Sequence, residues 1–126
     1  MKNTDEITTL AQLQNDLVGI QSLAKIGFWR LDLNEQKLHW TDEIYKIFDM
    51  VKRKDRPLEI KDFLNSIYTY DGLPYIEKYN EHLEKKVLYH AVHRIVTRNK
   101  QIKWIEERCE TQFDSSGEPI VSIGTI

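Results

Sequence analysis

The chain has 126 residues, of which 18 are basic, 20 are acidic and 40% are hydrophobic, and its formal net charge is -2. This size suits one domain with one core, and the balanced charge gives no basic surface for nucleic acid. The single cysteine excludes an internal disulfide, and no apolar run approaches the roughly 20 residues of a membrane span. Because the N-terminus is also polar and acidic, unlike a signal peptide, we expect a cytoplasmic location without direct membrane contact.

Residues 1–25 are predicted to form a flanking helix, separate from a domain over residues 26–126. Apolar residues recur in steps of three and four and so share one helical face. They are Leu10, Leu13, Leu17, Ile20 and Ala24. The pattern favours a helix that lies on its own domain, and it also fits a helix that pairs with its copy in a homodimer. Both arrangements can hold together.

The middle of the chain is predicted to contain two strands and three helices. Alternating side chains predict strands over residues 28–33 and 37–40. A capping pattern at Thr41 begins a short helix that ends near Phe48. A solvated basic loop follows, then a helix over 60–67 and a longer one from an Asp71 cap to about Lys86. Leu73, Ile76, Tyr79, Leu83 and Val87 share one face of that longer helix.

The last third of the chain contains three predicted strands, over residues 87–98, 102–113 and 119–126. Two strand blocks separated by a helical insert predict an α+β fold. We expect one antiparallel sheet of five strands in the order 2-1-5-4-3, with the helices on one face. In that order the first and last strands lie side by side at the centre.

Residues 26–126 resemble a PAS domain of the subgroup whose last strands carry the PAC motif. Five segments match the family patterns in order: residues 27–32 (G-x-W-x-x-D), 39–48 (W-S-D-E-x-Y-x-I-F), 94–96 with 102–105 (R-I-V and I-R-W-V), 114–119 (D-x-x-G-x-P) and 123–126 (G-T). Asn99-Lys100 replaces the usual Asp-Gly of the hairpin turn, so we expect a longer or differently typed turn.

The resemblance implies a sensory module of a bacterial signalling protein, such as a sensor histidine kinase or a diguanylate cyclase. Such a module catalyses nothing itself. Binding of a small molecule or a partner would bias the packing of the sheet, and the last strand would pass that bias to a covalently linked output domain beyond Ile126. The alternative is a ligand-free PAS module that serves dimerisation or scaffolding.

A ligand pocket between sheet and helices would need mostly apolar walls with a few polar groups. The candidates for the walls are Trp29, Phe48, Phe63, Ile76, Tyr79, Leu83 and Trp104. The same side chains can simply fill the core, which is the favoured interpretation. Arg94 on a central strand would need a carboxylate partner or an anionic ligand if it faced inward.

The sequence offers no candidate catalytic or metal-binding group. Cys109 has no histidine near it in the sequence to activate it. His90 and His93 are an odd number of residues apart on a strand, so they point to opposite faces and cannot bind one metal. The PAS resemblance makes His82 the candidate for haem binding, but the helical pattern predicts that His82 is exposed. The flavin-binding signature is absent, so we expect no cofactor.

Overall fold

The computed structural model describes residues 4–126. Its elements are α1 (Thr4–Ala24), β1 (Phe28–Asp32), β2 (Lys37–Trp40), α2 (Asp42–Ile47), α3 (Ile60–Leu64), a short 3-10 helix (Thr69–Asp71), α4 (Gly72–Lys85), β3 (Tyr89–Val96), β4 (Ile102–Phe113) and β5 (Pro119–Thr125).

The five strands form one antiparallel sheet in the order β2-β1-β5-β4-β3. This confirms the predicted α+β fold and the central position of the first and last strands. Trp29 of β1 lies opposite Gly124 of β5. A Cβ atom at Gly124 would lie 2.2 Å from the backbone oxygen of Arg108 and 2.7 Å from the Trp29 ring. The glycine therefore lets the indole lie directly on the sheet.

The main core lies between the sheet and the short helices α2 and α3. Ile44, Phe48 and Ile95 are completely buried, and Trp40 and Phe63 are nearly so. The rings of Trp40 and Phe48 have their centroids 4.7 Å apart. Full burial of each such side chain contributes about 1.5–3 kcal/mol, so this cluster is the main attachment of the short helices to the sheet.

The hairpin between β3 and β4 has a three-residue loop, which confirms that the turn is longer than the common two-residue type. The Lys100 amide donates to the Thr97 oxygen, and the Thr97 amide donates to the Gln101 oxygen. Lys100 has a φ of 67°. The left-handed residue that such a loop requires is therefore a lysine where glycine is common.

Helix α4 packs on the sheet through a different face from the predicted one. His82 is 4% exposed, whereas Leu73 is 66% exposed and Ile76 and Val87 are also on the surface. Tyr75 and Tyr79 lie on the same packed side as His82. The prediction that His82 is exposed was wrong, because the helix buries aromatic residues with polar partners in the sheet instead of its aliphatic stripe.

Helix α1 leaves its apolar stripe in solvent. Leu10, Leu13, Leu17 and Ile20 are between 48% and 60% exposed, and Ala24 is exposed as well. The favoured prediction, that this helix packs on its own domain through the stripe, was therefore wrong. The other arrangement, pairing with a copy, stays a prediction.

The two ends of the PAS-like region meet beside the C-terminus of α1. The Gly27 amide donates to the Ile126 oxygen at 2.9 Å, and the Ile126 amide donates to the Gly27 oxygen at 3.0 Å. Gly27 follows α1 by only three residues. Ile126, which directly follows β5, is therefore hydrogen-bonded to the short segment that joins α1 to β1.

Candidate ligand pocket and its polar neighbours

A pocket of about 340 Å³ lies on the helix-covered side of the sheet, between β1, β2, α3 and α4. Its walls are mostly apolar: Trp29, Leu31, Leu33, Leu38, Trp40, Ile60, Phe63, Leu64, Tyr75, Ile76, Tyr79 and Ile126. Polar groups reach it from Gln36, Asn80 and Glu107. A mostly apolar wall with few polar groups is typical of sites for small organic molecules.

The pocket has a buried floor and an open mouth. Trp40, Phe63, Glu107 and Ile126 are all at most 8% exposed and form the floor. Gln36, Leu64, Ile76 and Asn80 are exposed around the mouth, which lies between α3, α4 and the β1–β2 turn. A small molecule could enter there without the sheet opening.

The structure brings together four of the eight residues proposed for the pocket from the sequence. Trp29, Phe63, Ile76 and Tyr79 line it. Phe48 does not, because it is fully buried in the neighbouring core cluster. Leu83 is half-buried on α4 outside the pocket wall.

Trp104 and Arg94 do not line the pocket, because both side chains lie on the opposite face of the sheet. Trp104 is 67% exposed, and the Arg94 guanidinium lies 5.1 Å from the centre of its ring. Such a contact is a cation–π interaction in solvent. Both residues therefore belong to the outer face and not to the pocket. Arg94 also lies on β3, an edge strand of the sheet, so the prediction of a central strand for it was wrong.

Arg94 has its carboxylate partner on that outer side. Its Nε and Nη2 donate to the two carboxylate oxygens of Asp71 at 2.9 and 2.7 Å. The hydrogen bonds and charge of Arg94 lower the pKa of Asp71 to about 2. Asp71 precedes α4 as predicted, but its side chain makes no capping bond and binds Arg94 instead.

A buried acid and a buried base lie next to the pocket. Glu107 on β4 is 2% exposed, and its Oε2 lies 2.6 Å from Nε2 of His93 on β3. Nδ1 of His93 lies 3.3 Å from the Arg94 backbone oxygen. Both ring nitrogens therefore face oxygen atoms, an arrangement that favours a hydrogen on each nitrogen and a charged imidazolium beside Glu107.

The environment of His93 changes its pKa in two opposing directions. Burial alone would lower it, but the hydrogen bond and negative charge of Glu107 raise it by more. Burial and Glu107 also raise the pKa of the neighbouring Tyr75 and Tyr89, so both hydroxyls keep their protons. The Tyr89 hydroxyl donates weakly to the same Oε2 at 3.4 Å.

A second polar cluster connects α4 to the sheet. His82 contacts the Val87 oxygen through Nδ1 and the Thr111 hydroxyl, at 2.8 Å, through Nε2. The Thr111 hydroxyl is also hydrogen-bonded to the Ser122 hydroxyl at 2.6 Å, and the Ser122 hydroxyl is hydrogen-bonded to the Tyr79 hydroxyl at 2.9 Å. The chain of hydroxyl groups therefore runs from a buried histidine to the pocket wall.

Cys109 lies 3.8 Å from His82, a contact that the sequence did not reveal. Burial nevertheless raises the pKa of the Cys109 thiol to about 11. A thiol with that pKa is almost fully protonated near neutral pH and is a poor nucleophile. The contact does not make a catalytic pair.

One pocket residue has an unsatisfied donor. The indole Nε1 of Trp29 is buried and has no hydrogen-bond partner within residues 4–126. Such a group costs free energy unless a bound molecule or water accepts its hydrogen. The donor was not foreseen from the sequence, where Trp29 counted only as an apolar wall.

The described residues contain neither a candidate metal site nor a candidate membrane span. Within residues 4–126, no group of three or more histidine, cysteine, aspartate or glutamate side chains could hold a metal ion. Over the same range, no helix combines the length and apolar character needed to cross a membrane.

A family model described as the PAS fold matches residues 37–126, which is well over half of the chain. The chain belongs to the PAS-fold family, whose members serve as sensory modules in signalling proteins. This confirms the resemblance found in the sequence motifs.

Proteins similar to this chain include signalling proteins from several bacteria. A blue-light-activated histidine kinase of Brucella anthropi is 23% identical over 97 residues, 77% of this chain but only 19% of that protein. A sensory box histidine kinase/response regulator from Burkholderia thailandensis is similar with a TM-score of 0.71 and 26% identity, over 83% of this chain and 77% of that one. The N-terminal domain of a diguanylate cyclase with PAS/PAC sensor from Marinobacter aquaeolei has a TM-score of 0.68 and 17% identity, over 79% and 91% of the two chains, and shares the fold.

Proposed function

We propose that this domain senses a small molecule in the pocket and relays its binding to an output domain attached after Ile126. The observation that carries the proposal is the double role of Ile126. Its side chain forms part of the pocket floor, and its backbone pairs with Gly27 at the base of α1. A ligand that contacts Ile126 differently from solvent would favour one arrangement of this junction over another.

We propose that the domain is cytoplasmic and belongs to a sensor histidine kinase or a diguanylate cyclase that can itself be membrane-anchored, and that the domain has no catalytic role. Support for the second point comes from the geometry of the polar groups. Cys109 is protonated and buried, and the His93–Glu107 pair is internally neutralised. We also propose that haem is not bound through His82, because both of its ring nitrogens already have partners within the domain.

We further propose that residues 1–25 form a dimerisation element distinct from the sensory domain over residues 26–126. The stripe on α1 repeats in heptad spacing and is exposed along its length. Pairing with the same stripe of a second copy would remove these apolar side chains from water. Nucleic acid and membrane are not among the proposed partners.

The relay is tested by filling the pocket without a ligand. In Ile76→Trp, a larger side chain is placed at the pocket mouth, and Leu73→Trp on the exposed part of the same helix is the matched control. We expect hydrogen exchange of the Gly27 and Ile126 amides to change in the first variant and not in the second, measured by NMR. Unchanged exchange in both would contradict the relay.

The alternative, a ligand-free dimerisation or scaffold module, is supported by the exposed stripe alone. It predicts that pocket filling has no effect at the junction while dimerisation persists. The open volume of about 340 Å³ argues against it, because empty space of this size leaves its lining without packing partners. The exchange experiment separates the two functions.

A further inference from the structure

We infer that the pocket selects a flat, mostly apolar molecule of about two fused rings that donates a hydrogen bond to the carboxylate of Glu107. The inference rests on the proposed ligand-sensing function and adds the chemical class of the ligand to it. It depends on which hydrogen-bonding atoms beside the pocket are already used and which are not. Besides the unused acceptor described next, the indole Nε1 of Trp29 is an unused donor. Neither probe of the test below offers it a strong acceptor, because the lone pair of an aromatic ring oxygen is delocalised, so the test reports on the unused acceptor.

The first step concerns Glu107. Both hydrogen bonds to its carboxylate, from His93 and from Tyr89, end on Oε2. Within the described part of the chain, Oε1 takes part in no hydrogen bond, although Glu107 is 2% exposed and lines the pocket. Within residues 4–126, Oε1 is not among the fully buried side-chain atoms that lack a partner. It is therefore accessible from the pocket and remains a strong, charged acceptor for an occupant.

The second step concerns Tyr79. A carbonyl only accepts, so Nδ1 of His82 carries the hydrogen that bonds to Val87. When the imidazole is neutral, its Nε2 accepts from Thr111, Thr111 accepts from Ser122, and Ser122 accepts from Tyr79. The hydrogen of the Tyr79 hydroxyl is then used within the protein, so Tyr79 offers no donor to an occupant of the pocket.

The third step concerns charge and shape. Because His93 neutralises Glu107, the site does not require a cation, and a neutral N–H or O–H donor is sufficient. Aromatic rings of Trp29, Trp40 and Phe63 surround the space, and rings stack well on flat molecules. An apolar cavity of about 150 Å³ holds one benzene ring, so 340 Å³ suits about two fused rings.

The test compares two probes of nearly equal shape on the unmodified protein. Indole has a ring N–H, whereas benzofuran has an ether oxygen in its place. We expect indole to bind roughly tenfold more tightly or better, since a hydrogen bond to a charged group has about that effect and benzofuran leaves Oε1 without a donor. Isothermal titration calorimetry at neutral pH measures both affinities.

Two variants test whether the preference for indole over benzofuran depends on Glu107. In Glu107→Gln the indole-to-benzofuran ratio should fall toward one, and in Glu106→Gln, on the outer face of the same strand, it should stay unchanged. Equal or tighter binding of benzofuran to the unmodified protein would overturn the inference and leave ligand sensing intact. Binding of neither probe at millimolar concentration would overturn both.

Discussion

Strands β3 and β4 carry two histidine–glutamate pairs, one on each face of the sheet. His93 and Glu107 are 5% and 2% exposed and 2.6 Å apart, whereas His90 and Glu106 are 46% and 52% exposed and 3.1 Å apart. Each pair joins diagonal neighbours across the same two strands. The chemistry and spacing are alike, so the difference between the pairs is the difference between the two environments.

The comparison teaches which of the two pairs contributes to stability. In solvent, an ion pair gains little, because water already solvates both charges. In the interior, the partner of each charge is indispensable, since an unpaired buried charge is destabilising. Glu107 is therefore both a structural group and the polar floor of the pocket, and Glu106 is a surface group.

The largest expected effect comes from removing the buried acid. Glu107→Ala leaves a buried imidazole without its acceptor and should lower the free energy of unfolding by about 3 kcal/mol. Glu106→Ala is the matched control and should leave urea unfolding curves nearly unchanged. Equal losses in the two variants would show that burial does not distinguish the pairs.

The pH dependence of stability should follow the buried histidine. The pKa of His93 is raised in the folded protein. Its stabilising effect is therefore complete below the unfolded value of about 6.5 and is lost as the pH rises through the folded value. Urea unfolding from pH 6 to 9 should show this decline, and Glu107→Gln should flatten it. His90→Gln should leave this decline unchanged. A decline that disappears in His90→Gln would show that it comes from the exposed His90–Glu106 pair instead.

The Asp71–Arg94 pair on the outer face of the sheet should make the stability of the domain depend on pH in the acid range. The pKa of Asp71 is lowered to about 2 by Arg94, so its contribution is present above the unfolded value of about 3.9 and is lost as the pH falls toward 2. Asp71→Asn should remove this part of the acid dependence of unfolding. Asp55→Asn, which breaks an exposed pair with Arg53, is the control and should not.

Substitutions in the exposed stripe of α1 are expected to change stability least, but to change the oligomeric state. Leu17→Asp puts a charge in the exposed stripe and should give monomers in sedimentation analysis while the unfolding curve of the domain is kept. Ala11→Asp, beside the stripe on the same helix, should leave the dimer intact. A monomeric parent protein, or a dimer that survives Leu17→Asp, would refute pairing through the stripe.

The strand order could be predicted because alternation, turn residues and the PAS motifs all indicate the same sheet. The packed face of α4 could not, because counting aliphatic residues favoured Leu73 and Leu83. The helix instead buries Tyr79 and His82, whose polar atoms have partners on β4 and β5. Those partners are about 30 to 40 residues away in the sequence, and no local pattern shows them.

The face of each residue on β4 was the other ambiguous point. Trp104 and Ile105 are both apolar enough for a core. Adjacent residues of a strand point to opposite faces, so only one of the two can face the helix-covered side of the sheet. Glu107 has the same parity as Ile105 and Cys109, and that parity was the signal for its burial. It was missed because a carboxylate is rarely placed in a core without a visible partner, and His93 lies on another strand.

The antiparallel junction of Gly27 with Ile126 has a mechanical consequence. Tension applied through the two ends of the sheet would load its backbone hydrogen bonds one at a time, starting with this pair, and so would peel β1 from β5 as a zipper opens. Strands loaded in that direction separate at lower force than strands pulled in shear, where all bonds share the load. A pull on residues 27 and 126 would therefore displace Ile126, one residue of the pocket floor, before the other strand pairs separate.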